Sequence, residues 1–259
     1  MRNPFSHFVN RLHDARVSLD PYPHFCLDNI FPLDYYQALL KNLPASTSYE
    51  NLYEVTTLKL DHFRHRDQRD MNAGWTNDLS LEQKAFWDDF DTWFLGNDLA
   101  QAVLQTFPDQ MNARFGAQNH WPAVSVESQL IRHRPGYFLG PHSDLHTKFV
   151  VLLIYLAPNE NMSHLGTSLY RPRDAGFACP NSTHYQFEDF IKVKTAPYKP
   201  NSLLAFFRSD VSFHGLEPLS EHDVQNSGRD LIQYVLYDKA AREQQLHERR
   251  LATARRGAP

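Results

Sequence analysis

The sequence predicts an α+β fold, mostly β with a helical flank, in which an antiparallel sandwich or barrel carries a layer of helices on one side. Three observations predict it. Segments with helical periodicity fall in the first 120 residues, segments with strand texture follow from about Trp121, and no helix-length periodic segment interrupts those strands. Helices in one run and strands in another segregate into layers.

The 259 residues are read as one domain: 1–120 the largely helical flank, 121–238 the strand-rich core and 239–259 a basic tail. Hydrophobic residues at 42% and charged residues at 22% fit a globular chain with a sizeable core and exclude broad disorder. A formal net charge of -4 supplies no broad basic field, so no nucleic-acid partner is expected. Only Cys26 and Cys179 occur, which points to reduced, buried thiols and a cytoplasmic setting. The N-terminus lacks the apolar stretch of a signal peptide, and no apolar run approaches the ~18 residues of a membrane span. A soluble protein is expected, with its oligomeric state open.

In the flank, Pro32 to Pro44 places apolar residues at 36, 39, 40 and 43, one face of a helix that Pro44 ends. Ser80-Leu81-Glu82-Gln83 reads as a capping box opening a helix over about 80–95, which Gly96 closes. Asn97 is expected to cap a third helix that runs through Leu99, Val103 and Leu104 to Phe107, before Pro108. The stripe Phe86, Phe90, Trp93 and Phe94 reads as core. Lys59 to Asp70, a mixed charge run, reads as a loop, either solvated or over an active-site mouth.

Strands are expected at Val124 to Ile131, Phe149 to Leu156, Ile191 to Thr195, Leu203 to Phe207 and Leu231 to Tyr237. Joints rich in Pro, Gly and Asn separate them, such as Arg134-Pro135-Gly136 and Ala157-Pro158-Asn159. The tail carries six Lys/Arg against two Glu and reads as a helix or frayed terminus outside the core.

The chemistry concentrates in Gly136 to Asp144. Residues i and i+2 of an extended chain share a face, so His142 and Asp144 converge on one point. A third ligand from a distant strand is best supplied by His214, which follows the apolar run Leu203 to Phe207. Two imidazoles and one carboxylate leave three coordination positions open, which suits non-haem Fe(II) binding a cosubstrate and dioxygen. Structural zinc wants a closed set of four ligands. One His-x-Asp pair is a weak signal among fourteen histidines and thirty acids, so order and context carry the reading.

That order is His142-x-Asp144, then His214, then Arg229 opening the final strand Arg229-Asp230-Leu231-Ile232-Gln233-Tyr234. It resembles the Fe(II)- and 2-oxoglutarate-dependent oxygenase superfamily, and is similar in particular to its prolyl-hydroxylase-like branch, over roughly Ser125 to Asp238. The resemblance implies a double-stranded β-helix, a jelly-roll core, with His142, Asp144 and His214 as metal ligands and catalytic centre. It implies Fe(II), 2-oxoglutarate and O2 as cofactor and cosubstrates. Arg229 would pair with the distal carboxylate of 2-oxoglutarate, and Tyr155 would reach the same group. Two positions depart from the pattern: a common Gly-Gly pair is Leu165-Gly166 here, and the tyrosine that often stands nine residues before the metal motif is His133.

The reaction so implied is hydroxylation of an unactivated C–H bond in a small or polymer-linked polar substrate (sugar, amino acid or natural-product intermediate), with release of succinate and CO2. Halogenation is disfavoured because Asp144 keeps the ligand carboxylate. A peptide or protein hydroxylase and a non-catalytic metal- or sugar-binding jelly-roll are the alternatives. His146, Lys148 and His164 read as surface residues and Arg171 and Arg173 as an exposed turn. Substrate contacts are expected from Leu58 to Trp75, with His62, Arg64 and Arg66 foremost.

Overall fold

Every residue of Lys148–Leu156 is buried, so this strand has cover on both faces and sits at the centre of the protein. The computed structural model describes residues 3–179, 183–224 and 228–256. The last three positions of the predicted basic tail, 257–259, lie outside the described residues.

Strands among the described residues are, in chain order, β1 (His24–Asp28), β2 (Glu50–Asn51), β3 (Arg66–Asp70), β4 (Val124–His133), β5 (Leu139–His142) and β6 (Lys148–Leu156). They continue with β7 (Thr167–Pro172), β8 (Phe190–Ala196), β9 (Pro200–Phe207), β10 (His214–Leu216) and β11 (Arg229–Asp238). Seven form a large antiparallel sheet in the order β1-β9-β6-β11-β4-β3-β2, and four form a smaller one in the order β5-β10-β7-β8. This is the two-sheet jelly-roll expected. Three strands of the large sheet, β1 to β3, arise before residue 121.

Alternation along the large sheet separates two cores. Val150, Leu152, Ile154, Ile232 and Tyr234 face the helices, whereas Val151, Leu153, Tyr155, Leu231 and Val235 face the smaller sheet. The helical layer comprises α1 (Pro4–His13), α2 (Leu33–Lys41), α4 (Leu81–Phe94), α5 (Asn97–Leu104) and α6 (Pro108–Phe115), whereas Leu52 and Tyr53 of the single turn α3 (Leu52–Val55) pack on the side of the smaller sheet. A short α7 (Glu221–Val224) precedes β11, and α8 (Lys239–Arg256) follows it. The α4 capping box forms as predicted, and the aromatic stripe is core, with Phe94 packing edge-on against Tyr234 at 5.0 Å between ring centroids. Trp87, also on α4, is fully buried and donates its indole N–H to the Asn42 carbonyl at 2.7 Å. Truncating such a residue to Ala costs about 3–5 kcal/mol.

Four readings change. Gly96, in extended conformation, is the cap of α5, and Asn97 is its first helical residue. Pro108 ends nothing further; it opens α6 at a position where its missing N–H is harmless. The charge run is only in part a loop, because Arg66 to Asp70 pairs with His133 to Gln129 of β4. Pairing with β4 on one side and β2 on the other overrides the low strand propensity of Arg, Asp and Gln there. Cys26 is exposed, while Cys179 is buried as expected.

Gly166 is sterically required. A Cβ there would stand 1.9 Å from the Ala196 carbonyl oxygen, so only glycine lets β7 pair with β8 from Thr167 onward.

Candidate active site

The register of the smaller sheet brings the three predicted metal ligands together. His214 on β10 pairs directly with His142 on β5, which sets their ring centroids 4.3 Å apart, and Asp144 follows two residues beyond. One donor atom from each of His142, Asp144 and His214 lies within 4.8 Å of the others, and all three residues are buried. This is the only such cluster of metal-binding side chains among the described residues.

Backbone carbonyls fix both imidazoles. His142 Nδ1 lies 3.0 Å from the Gly140 oxygen and His214 Nδ1 lies 3.1 Å from the Ser212 oxygen. A carbonyl can only accept, so each Nδ1 carries the proton and each Nε2 keeps its lone pair for a metal. Burial, reinforced by the other imidazoles, holds His142 well below its ordinary pKa, and burial also lowers His214. Both are neutral donors.

The Asp144 carboxylate is divided between two tasks. Its Oδ1 accepts from Lys148 Nζ at 2.6 Å, while Oδ2 is buried with no hydrogen-bond partner and lies 3.7 Å from His214 Nε2. Burial alone would push this carboxyl up, but Lys148 and the two imidazoles outweigh it and hold it below the usual carboxylate range. An orphaned anionic oxygen beside two imidazole lone pairs fits a divalent cation. Arg208 donates from Nε to the Asp144 carbonyl at 2.9 Å, which steadies the backbone of the motif.

Lys148 is therefore not the surface residue expected: it is 9% exposed and lies at the head of β6. The available signal was its i,i+4 spacing from Asp144 immediately before a continuous apolar strand. His146 and His164 remain outside this cavity, and His164 instead meets Asp223 at 3.0 Å.

A cavity of about 350 Å3 connects these ligands with Arg229, which is 1% exposed. The guanidinium is held by Nε to the Leu165 carbonyl at 2.7 Å, Nη2 to Thr167 Oγ1 at 3.1 Å and Nη1 to His133 Nδ1 at 3.1 Å. No carboxylate pairs with it among the described residues. Because arginine only donates, His133 Nδ1 accepts and its Nε2 carries the proton. That N–H is buried without a partner, as is the Tyr137 hydroxyl, and both residues line the cavity. The His133 ring stacks on Tyr137 at 4.1 Å, and burial followed by the Arg229 charge keeps it neutral. A buried cation flanked by unpartnered donors fits an anionic group.

Tyr155, on β6, stands beside Arg229. Its ring faces the Arg229 guanidinium at 5.3 Å, opposite Tyr198 at 5.0 Å, and it is not among the cavity's lining residues. Burial pushes its hydroxyl up to about 12, so it packs as a neutral support beneath the arginine. His184 was not foreseen: its ring lies 4.8 Å from His142 on the cavity wall, and burial brings it down to about 4. It follows no periodic or motif signal. Of the predicted substrate contacts, only Leu58, Phe63 and Arg66 line this cavity.

No family profile and no curated protein matches the sequence. Solved structures do. A prolyl 4-hydroxylase from Phytophthora capsici aligns over 92% of this chain and 66% of its own, with a TM-score of 0.50 and 16% identity. The chain thus spans about two thirds of that structure. A prolyl-4-hydroxylase from Pseudomonas putida aligns over 90% of this chain and 99% of its own, at a TM-score of 0.46 and 14% identity. HygX from Streptomyces hygroscopicus, solved with nickel and 2-oxoglutarate bound, aligns over 89% and 87%, at 0.43 and 11%. At this identity the likeness to the first establishes a shared fold.

Proposed function

We propose that the protein is an Fe(II)- and 2-oxoglutarate-dependent dioxygenase that hydroxylates an unactivated C–H bond of a small or polymer-linked polar substrate. The observation that carries this reading is one cavity lined both by three neutral-or-anionic metal donors and by Arg229, a buried cation with no acid partner. Iron(II) together with 2-oxoglutarate would supply activation of dioxygen, with release of succinate and CO2.

The chain's own residues do the rest. His142 and His214 present Nε2 lone pairs, and Asp144 presents Oδ2 while Lys148 retains Oδ1, so the protein contributes three donors and leaves the remaining positions free. Arg229, oriented by Leu165 and Thr167, would bind the distal carboxylate of the cosubstrate. The His133 Nε2–H supplies a further donor toward that carboxylate. Leu153, Leu216 and Leu231 form an apolar wall that limits water around the reacting groups. A cavity of about 350 Å3 is in the range of small-ligand sites and suits a small molecule or one residue of a polymer.

Anaerobic addition of Fe(II) and then 2-oxoglutarate tests the reading. The expected result is a weak visible charge-transfer band, absent in Asp144→Ala, followed by succinate formation in air. Bound iron with no band and no succinate would identify a non-catalytic jelly-roll.

A further inference from the structure

The segment expected to contact substrate divides into parts with different surroundings. The His62 ring packs 4.1 Å from Phe138, and the Arg64 guanidinium lies 3.5 Å over the Tyr53 ring. Arg66 alone of the three basic residues lines the metal cavity.

Strand register places it. Arg66 on β3 pairs with His133, which pairs in turn with Arg229 on β11, so the two arginines flank one histidine on the same sheet face. Their guanidinium groups then diverge. Arg229 is tied to Leu165 and Thr167, whereas Arg66 Nη2 donates to Gln129 Oε1 at 3.3 Å, four residues back along β4 and opposite Gln233. The Gln129 amide is itself fixed, donating to Asp70 at 2.6 Å. Arg66 Nε is buried with no partner, and no carboxylate pairs with Arg66 among the described residues.

The charges on the cavity wall do not balance. Arg66, Lys148 and Arg229 face it against Asp144 alone, an excess of two positive charges. A divalent iron and a dianionic cosubstrate cancel, so loading leaves that excess in place. Arg229 would by then be occupied and Lys148 is already paired with Asp144. The cation left without an anionic contact is Arg66, and Leu52, Leu58, Phe63 and Leu139 line the same cavity as an apolar wall. Arg66 is half-buried, and its fully buried Nε–H is costly to leave unsatisfied unless a ligand supplies an acceptor.

We infer that Arg66 forms a second anion subsite in this cavity, which takes the carboxylate of a small amphiphilic substrate while its apolar part lies against the leucines and Phe63. The inference rests on the oxygenase reading and names the substrate class for the same site.

Phenylacetate and its uncharged counterpart phenylacetamide serve as probes, titrated calorimetrically into protein loaded with Zn(II) and saturating 2-oxoglutarate, and into protein loaded with Zn(II) alone. Phenylacetate should bind alongside 2-oxoglutarate roughly tenfold or more tighter than phenylacetamide, the ratio expected from one charge-assisted contact. Arg66→Gln should abolish that preference, and Arg66→Lys, which keeps the charge and guards against a folding defect, should retain part of it. Equal binding of acid and amide, no phenylacetate binding at millimolar concentration, or a preference that survives in Arg66→Gln would overturn the inference. So would displacement of 2-oxoglutarate by phenylacetate, since the anion would then be using Arg229. If 2-oxoglutarate itself fails to bind, the oxygenase reading falls, and the Zn(II)-only titration still decides the role of Arg66.

Discussion

Lys148 Nζ donates to Asp144 Oδ1 at 2.6 Å inside the protein, and the other oxygen of that carboxylate has no partner. The lysine thus neutralises a buried anion that would otherwise stand alone before a metal arrives. Breaking a buried ion pair by removing one member costs about 3–5 kcal/mol, because the other charge is left uncompensated. Lys148→Met should lower the stability of the metal-free protein by that order in urea unfolding. Saturating Zn(II) should recover part of the loss, so metal stabilises the variant more than the wild type. An equal loss with and without metal would show that Lys148 acts only by packing.

Ligand replacement separates the metal donors from their neighbour. His142→Ala, Asp144→Ala and His214→Ala each remove one of three protein donors and should abolish stoichiometric Co(II) binding, read by visible absorption and metal analysis. His184→Ala removes an imidazole 4.8 Å from the His142 ring but outside the donor cluster. Its Co(II) affinity should stay within about threefold of wild type, less than the roughly tenfold that 1.4 kcal/mol represents. Loss of Co(II) from the His184 variant would make it a fourth ligand.

Acid should destabilise the metal-free protein from a predictable point. Burial lowers the pKa of His133, His142, His184 and His214, and His24 and His62 shift the same way. Below pH about 6.5 the unfolded chain takes up protons that the folded chain refuses, so stability is present above that pH and falls as pH drops through it. Asp91, which burial lifts to about 6, and Asp230, raised by burial, oppose this, as two groups against six. The urea midpoint should hold between pH 7 and 8 and decline steadily from about 6.5 toward 5. A midpoint that rises over that interval would show the two carboxyls dominating.

Much of this architecture was legible because it follows from period and order. The central strands β4, β6, β9 and β11 announce themselves by apolar content, and the capping box at Ser80 forms as written. The metal triad was legible for the same reason: a His-x-Asp pair and a later histidine at strand ends meet once the strands pair. Arg66 to Asp70 was not, since its pairing partner lies some sixty residues away and nothing local marks so polar a segment as a strand. Lys148 was misread because a lone lysine ahead of an apolar run has the appearance of a strand-end charge. Tyr155 stands on the expected strand, yet whether its ring reaches the cavity or supports Arg229 depends on packing across β6 and β11 that no spacing reveals.

Arg229 carries the last prediction, which separates cosubstrate from metal. Its side chain contacts none of the three metal ligands; it is bound to Leu165, Thr167 and His133. Arg132 and Arg208 are engaged elsewhere, Arg132 in a paired contact with Asp230 at 2.7 and 2.8 Å and Arg208 with the Asp144 carbonyl and Asp210. Arg229→Met keeps most of the buried volume and removes the charge, so metal should remain bound. A hydrogen bond to a charged group contributes about 1.5–3 kcal/mol, and the affinity for 2-oxoglutarate should therefore fall roughly ten- to a hundredfold or more. Calorimetric titration of the Zn(II)-loaded variant measures this without turnover. His133→Phe, which deletes the unpartnered Nε2–H but leaves an aromatic ring for Tyr137 to stack on, should produce a smaller loss in the same assay. An unchanged 2-oxoglutarate affinity in Arg229→Met would remove this arginine from the site and, with it, the observation on which the oxygenase reading chiefly rests.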